Sequence, residues 1–169
     1  MKKLTLMMCF VLLSAATAMS GEHKHVHKAP HGGALVVVGD EFAHLEFVLD
    51  KEGKLTAYVL DGEAEKAVRI KQKEIALKIE SIDGKKQDLK VKLKAVANVL
   101  TGESEGDTSE FATVAAELKG AKKFCAELDA VKVKGKEFKD VHFDFPEGNE
   151  HGHHDHAHDH DKKEHKAKK

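Results

Sequence analysis

The 169 residues hold 28 Lys and Arg against 29 Asp and Glu, a net charge of −1 with histidine neutral. That length admits one domain plus tails. The even balance argues against a nucleic-acid partner, because phosphate binding needs a surplus of basic residues on one face. The compositional excess lies elsewhere, in 13 histidines.

The chain begins with the pattern of a secretory leader. Lys2 and Lys3 form a basic start, an apolar run follows over residues 4–13, and Ala16-Thr17-Ala18 supplies small residues for cleavage. Residues 1–20 are therefore expected to be a signal peptide. The apolar run is too short for a membrane anchor, so no stable membrane insertion is expected after its removal. Cys9 leaves with this leader, and Cys125 is then alone with no internal disulfide partner. A lone thiol of this kind reads first as a small buried apolar residue.

Residues 21–29 read as a flexible arm carrying His23, His25 and His27. Their alternation sets all three on one side of an extended backbone. Cleavage after Ala18 leaves them a few residues inside the new terminus. Cleavage after Ser20 instead starts the mature chain Gly21-Glu22-His23, whose amine, backbone nitrogens and imidazole suit square-planar Cu(II) or Ni(II).

The body spans residues 30–147. Pro30-His31-Gly32-Gly33 reads as a turn in which glycine permits positive φ, and Ala34–Val38 as the strand after it. Within residues 42–49, Ala43, Leu45, Phe47 and Leu49 share one face, while Phe42, His44, Glu46 and Val48 share the other. The Gly-containing gap 50–54 signals a hairpin to a strand over 55–60. Residues 67–70 read as a short strand, and Ile75, Leu77 and Ile79 as the apolar face of a longer one. Asp83-Gly84-Lys85 is a strong turn signal. Leu89, Val91, Leu93 and Ala95 then alternate with Lys90, Lys92 and Lys94, giving a strand with a solvated lysine face. Residues 101–109 read as a surface loop, and 111–118 as a strand in preference to one or two helical turns. Phe124–Val133 and residues 137–145 make a last pair around Gly135-Lys136, with His142 and Asp144 on the face opposite Val141, Phe143 and Phe145. About eight short strands with no long helix predict an all-β, antiparallel β-sandwich, Ig-like or barrel-like.

Residues 148–169 form a His/Asp/Lys-rich tail. His151, His153, His154, His156, His158, His160 and His165 interleave with Asp155, Asp159 and Asp161. No apolar residue larger than alanine is present there, so disorder is expected. Neutral imidazoles flanked by carboxylates predict several exchangeable metal sites of moderate affinity, lost as pH falls through roughly 6.

Within the body the histidines are His31, His44 and His142, with Glu46 and Asp144 on the same strand faces as two of them. Three separated ligands of this kind can make a preformed site if they meet; spacing alone does not decide it. No catalytic set stands out: there is no His-Glu-x-x-His pattern and no nucleophile elbow. The chain is expected not to be an enzyme.

Ala29-Pro30-His31-Gly32-Gly33, Val38-Gly39-Asp40, His44-Leu45-Glu46-Phe47 and Leu55-Thr56-Ala57-Tyr58-Val59-Leu60-Asp61 together resemble the small N-terminal module of periplasmic adaptor subunits of heavy-metal efflux systems. The resemblance covers roughly residues 29–70. It implies an exported β domain associated with cobalt, zinc, cadmium, copper or nickel handling, with His31 and His44 as functional residues. Nothing matches the adaptor's helical hairpin or its lipoyl and barrel domains, so the chain is similar to a free-standing relative.

These readings converge on a periplasmic or secreted protein that buffers or delivers divalent metal, zinc or copper first, nickel or cobalt next. Its expected partners are the ions themselves and a metal efflux or uptake system of the cell envelope. The rival is an envelope interaction module whose tail only aids solubility.

Overall fold

The computed structural model describes residues 27–149. The expected leader, His23, His25 and the tail histidines from His151 to His165 lie outside the described residues. Eight strands form one sheet: Ala34–Val38 (β1), Ala43–Leu49 (β2), Lys54–Leu60 (β3), Glu74–Ile82 (β4), Lys85–Ala95 (β5), Glu110–Val114 (β6), Phe124–Val133 (β7) and Lys136–Phe145 (β8). Every pairing is antiparallel, in the order β1-β2-β3-β6-β5-β4-β7-β8.

The sheet curls until its two edge strands nearly meet, so the barrel-like form of the all-β architecture is adopted. The segment after β8 closes the seam. Asn149 accepts from the Val37 amide at 2.7 Å and donates to the Val37 carbonyl at 3.0 Å, standing in for a strand partner. Gly148 packs on the Leu35 carbonyl, where a side chain would collide. An edge strand's unpaired backbone is thereby covered.

Period-two alternation turns Val36, Leu45, Phe47, Leu55, Ile79, Leu93, Phe111 and Leu128 into the interior, all fully buried. Phe47 of β2 stacks on Phe143 of β8, with ring centroids 4.5 Å apart. That contact crosses the interior between strands far apart in sheet order. Each such ring contributes roughly 1.5–3 kcal/mol by leaving water.

Three local expectations change. Residues 67–70 are not a strand; they make only isolated bridges, Leu60 to Ala67 and Ile70 to Thr108. β5 begins at Lys85, earlier than its apolar alternation, because the tight turn at Asp83-Gly84 pairs Lys85 with Ile82 and Lys86 with Ser81 of β4. Residues 111–118 divide into β6 and one 3-10 turn, Ala116–Leu118, whose Leu118 is buried. Among the described residues no helix is long and apolar enough to cross a membrane.

The outer side of β1–β3 is not solvated. Leu35, Leu60 and Ala64 form a small second cluster there, with Ala29 and Tyr58 packed on it. The segment before β1 and the turn after β3 supply Ala29 and Ala64, so both lie over that face. This cover decides the surroundings of three histidines.

Candidate metal centre

Glu46 occupies an outward position of β2, yet it is fully buried beneath the segment before β1. Its carboxylate accepts from the His31 amide at 2.7 Å, the Gly33 amide at 2.9 Å and His31 Nδ1 at 2.7 Å. Three donors satisfy the buried carboxylate and fix the path of the segment. His31 stacks on Tyr58 at 3.8 Å between centroids and remains partly exposed. With Nδ1–H spent on Glu46, Nε2 carries the lone pair of the neutral ring. Histidines that ligate metals are commonly oriented by a carboxylate in this way.

His44, two residues earlier on the same face, is fully buried. Its Nδ1 lies 3.0 Å from the Asp61 carbonyl oxygen, which can only accept, so Nδ1 is the donor and Nε2 carries the lone pair of the neutral ring. The ring of His27 lies 4.8 Å from that of His44, tilted by 60°. The C-terminal end of the expected flexible arm is therefore packed on the sheet.

The third constellation sits on the other flank of the barrel. Glu80 of β4, Glu127 of β7 and His142 of β8 present ligand atoms that all lie within 4.8 Å of one another. Glu127 and His142 are direct register partners, with Nε2 to Oε2 at 3.5 Å. Glu80 joins them at a register shift between Ile79 and Ser81, where β4 carries one residue more than β7. Such a bulge re-aims a side chain without ending the strand. Lys78 lies 3.4 Å from Glu80 and competes for its carboxylate.

The structure thus joins His27 with His44, His31 with Glu46, and His142 with Glu127 and Glu80. It does not gather His31, His44 and His142 into one site: among the described residues only the Glu80–Glu127–His142 group brings three ligand atoms so close. Glu80 and Glu127 escaped the sequence reading because a carboxylate on a strand's polar face resembles any solvated charge. Part of the signal was present. A two-residue turn at Lys134-Gly135 pairs Val133 with Lys136, and counting outward pairs Glu127 with His142.

Cys125 borders this group. Burial first, and then the hydrogen-bonded Asp144 carboxylate, push its thiol up from the ordinary range, although Ser81 acts in the opposite sense. The residue is half-buried and free. Its environment favours the thiol over the thiolate that metals bind.

No protein-family model, curated protein or solved structure matches this chain.

Proposed function

We propose that this chain is an exported transition-metal-binding protein of the cell envelope. It buffers or delivers divalent ions, zinc or copper first and nickel or cobalt next, as a carrier and not a catalyst. One observation carries this reading: three donor atoms from three neighbouring strands converge within 4.8 Å at Glu80, Glu127 and His142. Ligand atoms around one tetrahedral zinc lie about 3.3 Å apart, given bonds of about 2.0–2.1 Å. Small side-chain rotations close that difference, with Glu80 released from Lys78. An imidazole and two carboxylates leave a fourth position open for water or for a partner's ligand. Such a site suits exchange.

The rest of the reading draws on the sequence. The leader pattern supports export. The histidine-rich ends add further ligands of the same chemistry. The resemblance of residues 29–70 to efflux-adaptor modules supports a metal-transport system as the partner.

Calorimetric titration of zinc into the chain shortened to end at Asn149 tests the body's part; all eight strands lie before that residue. Saturable binding is expected, weakened more than about tenfold by His142→Ala or Glu127→Gln, since even an outer-shell partner is worth that much. Isotherms unchanged by both substitutions contradict the proposal.

A second reading has its own observation. Val99 and Leu100 are 94% and 97% exposed at the tip of the loop before β6, which favours an interaction module. Loss of a partner from envelope extracts on Leu100→Ser, with zinc binding unaltered, supports that alternative.

A further inference from the structure

We infer that His27 and His44 form a second metal site, made of imidazole nitrogen and covered by the segment before β1. It is separate from the Glu80–Glu127–His142 group and does not rest on it. The placement follows from Glu46, whose three bonds to His31 and Gly33 hold the segment against the outer face of β2. Four residues before His31, the chain lies over the next outward side chain of the same strand, His44. The two rings meet there at 4.8 Å.

His27 supplies the independent sign of a ligand. Its side chain is only 6% exposed, and its Nε2 is buried with no hydrogen-bond partner among the described residues. A buried polar nitrogen left so loses its hydration with no compensating bond. An electron-pair acceptor at Nε2 removes that cost. On the His44 side, Nδ1 donates to the Asp61 carbonyl, which leaves Nε2 as the ring nitrogen able to ligate in the neutral form. Glu41 stands at the rim, Oε1 3.9 Å from His27 Nε2 and half exposed. It is placed to move in as a third ligand and offset part of the ion's charge. Two imidazoles and one carboxylate suit zinc, and also nickel or cobalt.

The occupied site ties the arm to the barrel. His25 and His23 lie two and four residues upstream of His27, so an ion gathered by the arm has only a few residues of chain to cross.

Histidine-selective 15N spectra of the full mature protein test this during addition of zinc chloride. The expected result is a joint shift of the His27 and His44 Nε2 resonances below one equivalent, with His44 Nδ1 still protonated. His27→Gln is expected to weaken zinc binding at His44 more than tenfold while the amide spectrum stays that of the folded chain. The inference is overturned if neither Nε2 moves before the tail sites fill, or if His44 responds identically without His27. It is equally overturned if the two rings respond only to pH, as a pair sharing a proton does. His142 reports in the same spectra. A shift there with His27 and His44 silent removes this site alone, and the converse removes the other.

Discussion

Glu46 has no water to face and three donors to satisfy it, so its carboxylate organises the residues around it. Glu46→Ala strands two backbone N–H groups and an imidazole. The expected cost is about 2–3 kcal/mol, measured by urea unfolding, with faster exchange of the His31 and Gly33 amides. Asp83 works similarly at the surface. The backbone N–H groups of Lys122 and Lys123, each 3.0 Å from its Oδ1, hold its carboxyl below the usual aspartate range. A carboxyl lowered by folding contributes stability that is present above its unfolded value of about 3.9. That contribution fades as pH falls through the lower folded value. Asp83→Asn is therefore expected to flatten the acid side of the stability curve, followed by unfolding midpoints from roughly pH 5 downward. In the sequence Glu46 was visible only as an acid on a mixed strand face. Its burial depends on residues 27–33 folding back, and no periodicity within β2 announces that.

At the scale of elements, Pro30-His31-Gly32-Gly33 shows how a turn can be legible while its reason is not. Two glycines were expected to supply positive φ, yet only Gly32 does, at +74°, with open space where a side chain would go. Gly33 is needed for room instead. A Cβ there would run into the Phe47 carbonyl and come within 2.8 Å of Val48 Cγ2. Gly32→Ala should cost about 1 kcal/mol through backbone strain. Gly33→Ala should cost about 2–3 kcal/mol through overpacking, and should also loosen His31 from Glu46. Thermal unfolding of both variants, with the Glu46-bonded amides followed by exchange, tests the order. Strands were readable wherever apolar residues alternate, as in β2, β4 and β7. Polar Lys85-Lys86-Gln87-Asp88 was not, because it is the pairing of Lys85 and Lys86 with β4 that extends the strand through it. The shift at Ile79/Ser81 was also hidden, since a bulge is a relation between two strands, and with it went Glu80 as a candidate ligand.

Across the whole molecule, one curled sheet with a sealed seam sets the positions of everything else. The all-β class was legible from turn spacing and the absence of any long amphipathic run. The order β3-β6-β5-β4 was not, because non-local pairing leaves no local signature. The β4–β7 pairing, equally non-local, sets β4, β7 and β8 side by side and so assembles Glu80, Glu127 and His142. The seam anchors Asn149 on Val37 of β1, the register partner of His44. The proposed role then requires the folded body to take metal in its own right, not merely to carry a metal-binding tail. Native mass spectrometry of the chain ending at Asn149, after equilibration with zinc at neutral pH and removal of free ion, tests this most directly. At least one zinc retained per chain, with occupancy lowered by His142→Ala or His27→Gln, is the predicted result. A folded chain that comes through without zinc, while the full-length protein keeps it, contradicts the account.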